Sequence, residues 1–134
     1  MCLFERDGKL FVSKNYDRAK KETFYRVIGG SVEFSETAEE AVRRELREEL
    51  NLEIENLQFL TVVENIFTFE GEKGHEIIFL YKGDLSDKDI YKKESISYVE
   101  AGGKKLSAEW IKISDVLEER IKLYPPFDYK KFLN

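Results

Sequence analysis

The chain has 134 residues, a net charge of −5 and a pI near 5.1, with 42% hydrophobic and 13% aromatic residues. That suffices for a single domain, residues 1–134, with a sizeable core, and the acidic balance speaks against a general nucleic-acid surface. Cys2 is the only cysteine, which excludes an internal disulfide and a cysteine-based zinc site. No apolar run reaches the length of a membrane span or signal peptide, so no membrane partner is expected and a cytoplasmic location is the default.

In chain order, Met1 to Phe4 and Lys9 to Ser13 read as strands around the Asp7-Gly8 turn. The first of them begins almost at the start of the sequence and is expected to be short or truncated. Asn15 to Glu22 is polar and reads as a surface loop. Its Lys14, Arg18, Lys20 and Lys21 are either solvated charge or contacts for substrate phosphates. Thr23 to Ile28 is a strand leading into Gly29-Gly30, a pair that lets backbone approach a ligand. Val32 and Phe34 continue a short apolar alternation.

Thr37 followed three places later by Glu40 is a capping box, so a helix is expected from about Ala38, with Asn51 fit to close it in the left-handed conformation. Ser35 is an alternative cap. At 100° per residue Glu45, Glu48 and Glu49 share one face, beside an apolar stripe of Ala38, Val42, Leu46 and Leu50. At least one carboxylate then sits where the helix meets the core. Such a cluster is costly unless a hard cation or Arg44 compensates it. A solvated acidic face is the bland alternative.

Beyond the helix, Leu57 to Val63, Asn65 to Phe69 and His75 to Tyr81 read as strands, the last two flanking a turn at Glu70–Gly74. His75 reads as a turn or hydrogen-bonding residue. Phe67 or Tyr25 are candidates for stacking on a base, and Arg26 joins them as a candidate substrate contact. Asp84 to Lys105 is polar and is expected to be a long loop. Ala108 to Ile113 is a final strand, followed by a helix over Asp115 to Lys122 capped by Ser114 and stopped by Pro125-Pro126. The tail Phe127–Leu133 adds a short helix.

The spacing from Gly30 sharpens this picture. Five residues separate Gly30 from Glu36, and seven more precede Arg44-Glu45-Leu46. Then follow one residue, Glu48-Glu49, one more residue, Asn51 and Leu52. This resembles the box of the Nudix hydrolases (MutT-like), G-x5-E-x7-R-E-U-x-E-E-x-G-U with U aliphatic. Eight of the nine defined positions match over 23 residues, Asn51 standing where the family has glycine. Ile28 replaces the proline that often precedes the glycine pair.

The resemblance implies an α+β chain, an α/β/α sandwich with a mixed sheet and the box helix. The implied activity is hydrolysis of a phosphoanhydride in a nucleoside diphosphate linked to another group. The implied cofactor is Mg²⁺, with Mn²⁺ an alternative. Glu48 and Glu49 would be the main metal ligands, Glu45 a third ligand or the base, and the Gly30 carbonyl a further ligand. Arg44 would orient the glutamates with Glu36 as its partner, and Glu100 would serve as an outer ligand or base from a late loop. Dimers are frequent in that family, so a homodimer is admitted. A catalytically silent nucleotide sensor on the same fold is the alternative function, and an unrelated α/β interaction domain with an acidic helix is the third.

Overall fold

The computed structural model describes residues 1–100 and 102–133. Its elements are β1 (Cys2–Arg6), β2 (Lys9–Asp17), β3 (Glu22–Val27), α1 (Ala38–Glu45), β4 (Ile54–Phe69), β5 (Glu72–Leu85), β6 (Ser95–Val99), β7 (Lys105–Lys112), α2 (Ile113–Leu117) and β8 (Leu123–Tyr124). The strands form one mixed sheet. β1 runs parallel to β5 and antiparallel to β2. β2 pairs with β3 and β7, β6 pairs with β7, and β8 lies parallel to β3.

Period-two alternation divides the core between the two faces of the sheet. Leu3, Leu10, Val12, Val27, Ile78 and Ile111 pack with Val116 of α2 and with Tyr129 and Leu133 of the tail. On the other face Cys2, Phe4, Phe11, Ile28 and Tyr81 pack with Val42 and Leu46 of the acidic helix. The result is an α/β/α sandwich. Each fully buried aliphatic chain here contributes about 1.5–3 kcal/mol, so α1 is held by its apolar stripe rather than by propensity.

Thr37 caps α1, its hydroxyl accepting from the backbone N–H of Glu40 at 3.1 Å. After Glu45 the helix widens into a single π-turn, Leu46–Leu50, which carries Glu48 and Glu49. Asn51 closes it at φ 54°, with the N–H groups of Asn51 and Leu52 on the carbonyls of Arg47 and Leu46. Such π-turns cluster at functional sites because they re-aim side chains without ending the helix.

Several elements differ from the sequence reading. Asn15 to Glu22 is not a loop: β2 continues to Asp17 and β3 starts at Glu22, because Asp17 tightens the turn by accepting from the N–H groups of Ala19 and Lys20. Ser31 to Ser35 forms no strand, and Phe34 is fully exposed. Leu57–Val63 and Asn65–Phe69 are one strand, β4, which crosses Glu64 because that residue points to solvent and pairs with His75.

The β4–β5 turn is only Glu70-Gly71, both at positive φ, the geometry that suits a tight hairpin. Gly74 lies within β5, where a Cβ would meet the Phe67 ring at 2.2 Å. The expected loop at 84–105 contains a 3-10 turn, Lys88–Lys92, and strand β6, whose Ile96 and Tyr98 turn inward. α2 is shorter and earlier than the sequence suggests, with no side-chain cap, and Glu119 at φ 56° ends its winding.

The left-handed cap yields a test. Replacing Asn51 with glycine should leave stability unchanged or raise it by up to about 1 kcal/mol in urea unfolding. Asn51→Val should cost about 1–2 kcal/mol, because a β-branched residue resists this conformation.

Candidate active site

The acidic helix is organised by one guanidinium. Arg44 donates through Nε and Nη2 to Glu36 (3.0 and 2.7 Å), through Nη1 to Glu45 (2.9 Å) and Glu48 (3.1 Å), and through Nη2 to the carbonyl of Ser31 (3.0 Å). A planar fork of five donors can satisfy that many acceptors at once; a lysine cannot. The hydrogen bonds to Glu36 and Glu45 raise the Arg44 pKa further. The same Arg44 contact and the Glu33 N–H hold Glu36 below the usual carboxylate range.

Glu45 is held from both sides. Arg44 binds one oxygen, and the backbone of Gly30 lies so close that a Cβ there would stand 2.4 Å from the Glu45 carboxyl carbon. Glycine at position 30 is thus required by contact, which brings its backbone against the glutamate cluster. Glu49 is the group without a cation. Burial, a hydrogen bond with Glu45 and the charges of Glu45, Glu100 and Glu48 push its carboxyl up to about 7. A half-buried acid among acids holds its proton because nothing positive faces it.

Glu100 reaches this cluster from the other side. Its backbone N–H bonds the carbonyl of Lys104, closing the turn between β6 and β7, and its charge acts on both Glu49 and Tyr98. It also lines an open cavity of about 210 Å³ whose walls include Asn15, Phe24, Arg26, Asn65, Phe67 and Tyr124. Within it Phe24 meets Phe69 and Tyr124 edge to face, with ring centroids 5.8 and 5.5 Å apart.

The structure brings Arg44, Glu45, Glu48, Glu49 and Gly30 together and sets Glu100 opposite them. Arg26 and Phe67 stand in the adjoining cavity. Tyr25 does not: it falls on the opposite side of β3, packs against the main core and donates its hydroxyl to Glu109 at 3.1 Å. The cavity side of that strand is taken by Phe24 and Arg26, as period two demands. Sequence reading missed Asn15, Asn65, Phe24, Tyr98 and Tyr124. Asn65 had a signal, being a polar residue at an inward position of an otherwise apolar strand; Tyr98 was hidden by reading β6 as loop.

Among the described residues no three His, Cys, Asp or Glu side chains converge in metal-binding geometry. Arg44 accounts for this, since it holds Glu45 and Glu48 on its own nitrogens. The donor set nonetheless fits a hard divalent cation: it offers only oxygens, and Glu49 keeps a proton that a cation would displace. Glu48, whose side chain is 60% exposed, is free to leave Arg44 at little cost.

The NUDIX domain family model matches residues 1–130, and the chain belongs to the Nudix hydrolase family. Its α+β architecture is that of the Nudix fold. The CTP pyrophosphohydrolase of Escherichia coli (strain K12) is 32% identical over 86 residues, 64% of this chain. The match spans only 59% of that relative's length. The solution structure of the E. coli ORF135 protein superposes with a TM-score of 0.51 at 21% identity, covering 92% of this chain and 77% of the other, a likeness of fold.

Glu49 makes stability depend on pH in a direction opposite to an ordinary ion-paired acid. With its carboxyl pushed up to about 7, above the ordinary range of a free glutamate, the folded state binds the extra proton. In EDTA the melting temperature should therefore fall as pH rises from about 4.5 through about 7. Glu49→Gln should flatten that fall, and an identical pH profile for both proteins would contradict the assignment.

Proposed function

We propose that this protein is a Mg²⁺-dependent pyrophosphohydrolase, for which Mn²⁺ can substitute, acting on a nucleoside diphosphate linked to a further group. The observation that carries the reading is that β6 packs on the π-turn, which brings Glu49 and Glu100 within electrostatic reach of each other. One belongs to the acidic helix, the other to the wall of an aromatic cavity, so a phosphate chain and its base have adjoining places. Nucleoside triphosphates are the first substrates to consider, and CTP among them because of the E. coli relative.

In this reading Glu45, Glu48 and Glu49, with the Gly30 carbonyl, hold the divalent cation. A cation held by these residues would supply neutralisation of the diphosphate and acidification of a bound water. Arg44 keeps Glu45 aimed by binding it at 2.9 Å while Glu36 anchors the guanidinium at 2.7 Å. Glu100 faces Glu49 from outside the helix and accepts the proton of the attacking water, which spares the helix carboxylates for binding. Arg26 is tied to Glu76 by bonds of 3.0 and 3.2 Å and contributes shape more than free charge. Phe67 and Phe24 supply apolar surface for a planar base.

The test is phosphate release from nucleoside triphosphates, ADP-ribose, dinucleoside polyphosphates and nucleotide sugars, coupled to a phosphatase. Mg²⁺-dependent turnover of one class is expected, abolished by EDTA and restored by Mg²⁺. Glu49→Gln and Glu48→Gln should each lower kcat by at least about a hundredfold with the fold retained. Arg44→Lys should cost roughly tenfold or more, since an ammonium cannot hold Glu36, Glu45 and Glu48 together. Ligand binding without turnover would point instead to a silent nucleotide sensor.

A further inference from the structure

The cavity beside Glu100 has an uneven hydrogen-bond ledger. Its cationic side chains are each engaged within the protein. Arg26 is bound to Glu76, Lys20 gives its ammonium to the carbonyl of Thr68 at 2.8 Å, and Lys104 lies over the Phe69 ring at 5.3 Å. Two acceptors are not spent. Asn15 donates its amide nitrogen to the Ser13 carbonyl (3.3 Å) and hydroxyl (3.1 Å), and Asn65 donates its own to Glu76 at 3.1 Å.

The orientation of both amides is forced. A backbone carbonyl and an ionised carboxylate only accept, so the nitrogens must face them and the Oδ1 atoms must face away. Neither Oδ1 has a protein donor among the described residues. Both side chains are anchored from behind. Tyr98 donates to the same Ser13 hydroxyl at 2.9 Å, and Arg26 fixes the Glu76 that holds Asn65. Asn65 is 5% exposed, so its amide has little room to reorient.

We propose that this cavity selects nucleobases bearing an exocyclic amino group, which the Oδ1 atoms of Asn65 and Asn15 accept from, and discriminates against uracil and thymine. The inference rests on the nucleotide-hydrolase reading of the same site. Its physical basis is that an amino group meets the acceptors with N–H donors, whereas the uracil O4 in the same place sets lone pair against lone pair. A fixed acceptor that meets a lone pair instead of a donor discriminates by about tenfold.

The experiment compares kcat/KM within matched pairs that differ at the amino group: CTP with UTP, and ATP with purine riboside triphosphate, its 6-deamino analogue. A preference of about tenfold or more for the amino member of each pair is expected. In Asn65→Leu the CTP:UTP ratio should collapse towards one, mainly through KM. Ratios within threefold for both pairs in the wild-type protein would overturn the proposal while leaving the hydrolase reading intact. Should no nucleotide be turned over, the hydrolase reading fails instead, and calorimetric titration with CMP and UMP decides the base preference. Tighter CMP binding supports it; equal or absent binding overturns it.

Discussion

The structure depends first on the compensation of an acidic helix by Arg44. Four carboxylates, Glu33, Glu36, Glu45 and Glu48, lie within 3.6 Å of that guanidinium. Without it the turn from Ser31 to Glu36 would lose its tie to the helix, and Glu45 would face Glu49 with no counter-charge. Two of these carboxylates, Glu36 and Glu45, are only 13% and 14% exposed, so the pairs are shielded well enough to matter beyond a surface ion pair.

The division of charge around Arg44 also explains why Glu49 differs. Arg44 is already engaged by the acidic cluster, while Arg43 and Arg47 pair with Glu39 and Glu53. Glu49 turns towards the sheet, where burial and three neighbouring acids act on it together. The local imbalance is not a folding defect that packing could remove, since Val42 and Leu46 bury the adjacent face completely. It is a standing demand for positive charge.

Rigidity behind the cavity has the same character. Tyr98–Ser13–Asn15 and Arg26–Glu76–Asn65 are two short hydrogen-bonded chains, each crossing from one strand to another. Buried polar networks of this kind are costly when half satisfied and specific when complete. Here both amide nitrogens are held by the protein, and neither Asn15 nor Asn65 Oδ1 meets a donor among the described residues. Aromatic edges from Phe24, Phe69 and Tyr124 close the remaining wall without adding polarity.

Much of the box was legible in the sequence because its constraints are local. A capping hydroxyl three residues from its N–H, a left-handed Asn51, an apolar stripe at Val42 and Leu46, and Arg44 four residues before Glu48 all follow from helix geometry. The fold class was what the resemblance carried by that spacing implied. Strand limits did not, because β4 and β6 are defined by partners distant in sequence, and polar residues such as Glu64 and Ser97 are tolerated wherever their side of the sheet is wet. Which side of β3 carries Tyr25 and which carries Arg26 was likewise a matter of register against β2 and β8. The sequence by itself determined the acidic helix and the chemistry of its donors. Only tertiary structure decided that the charge of Glu100 acts on Glu49 and that Asn15 and Asn65 line one cavity, since long-range strand pairing brings their elements together.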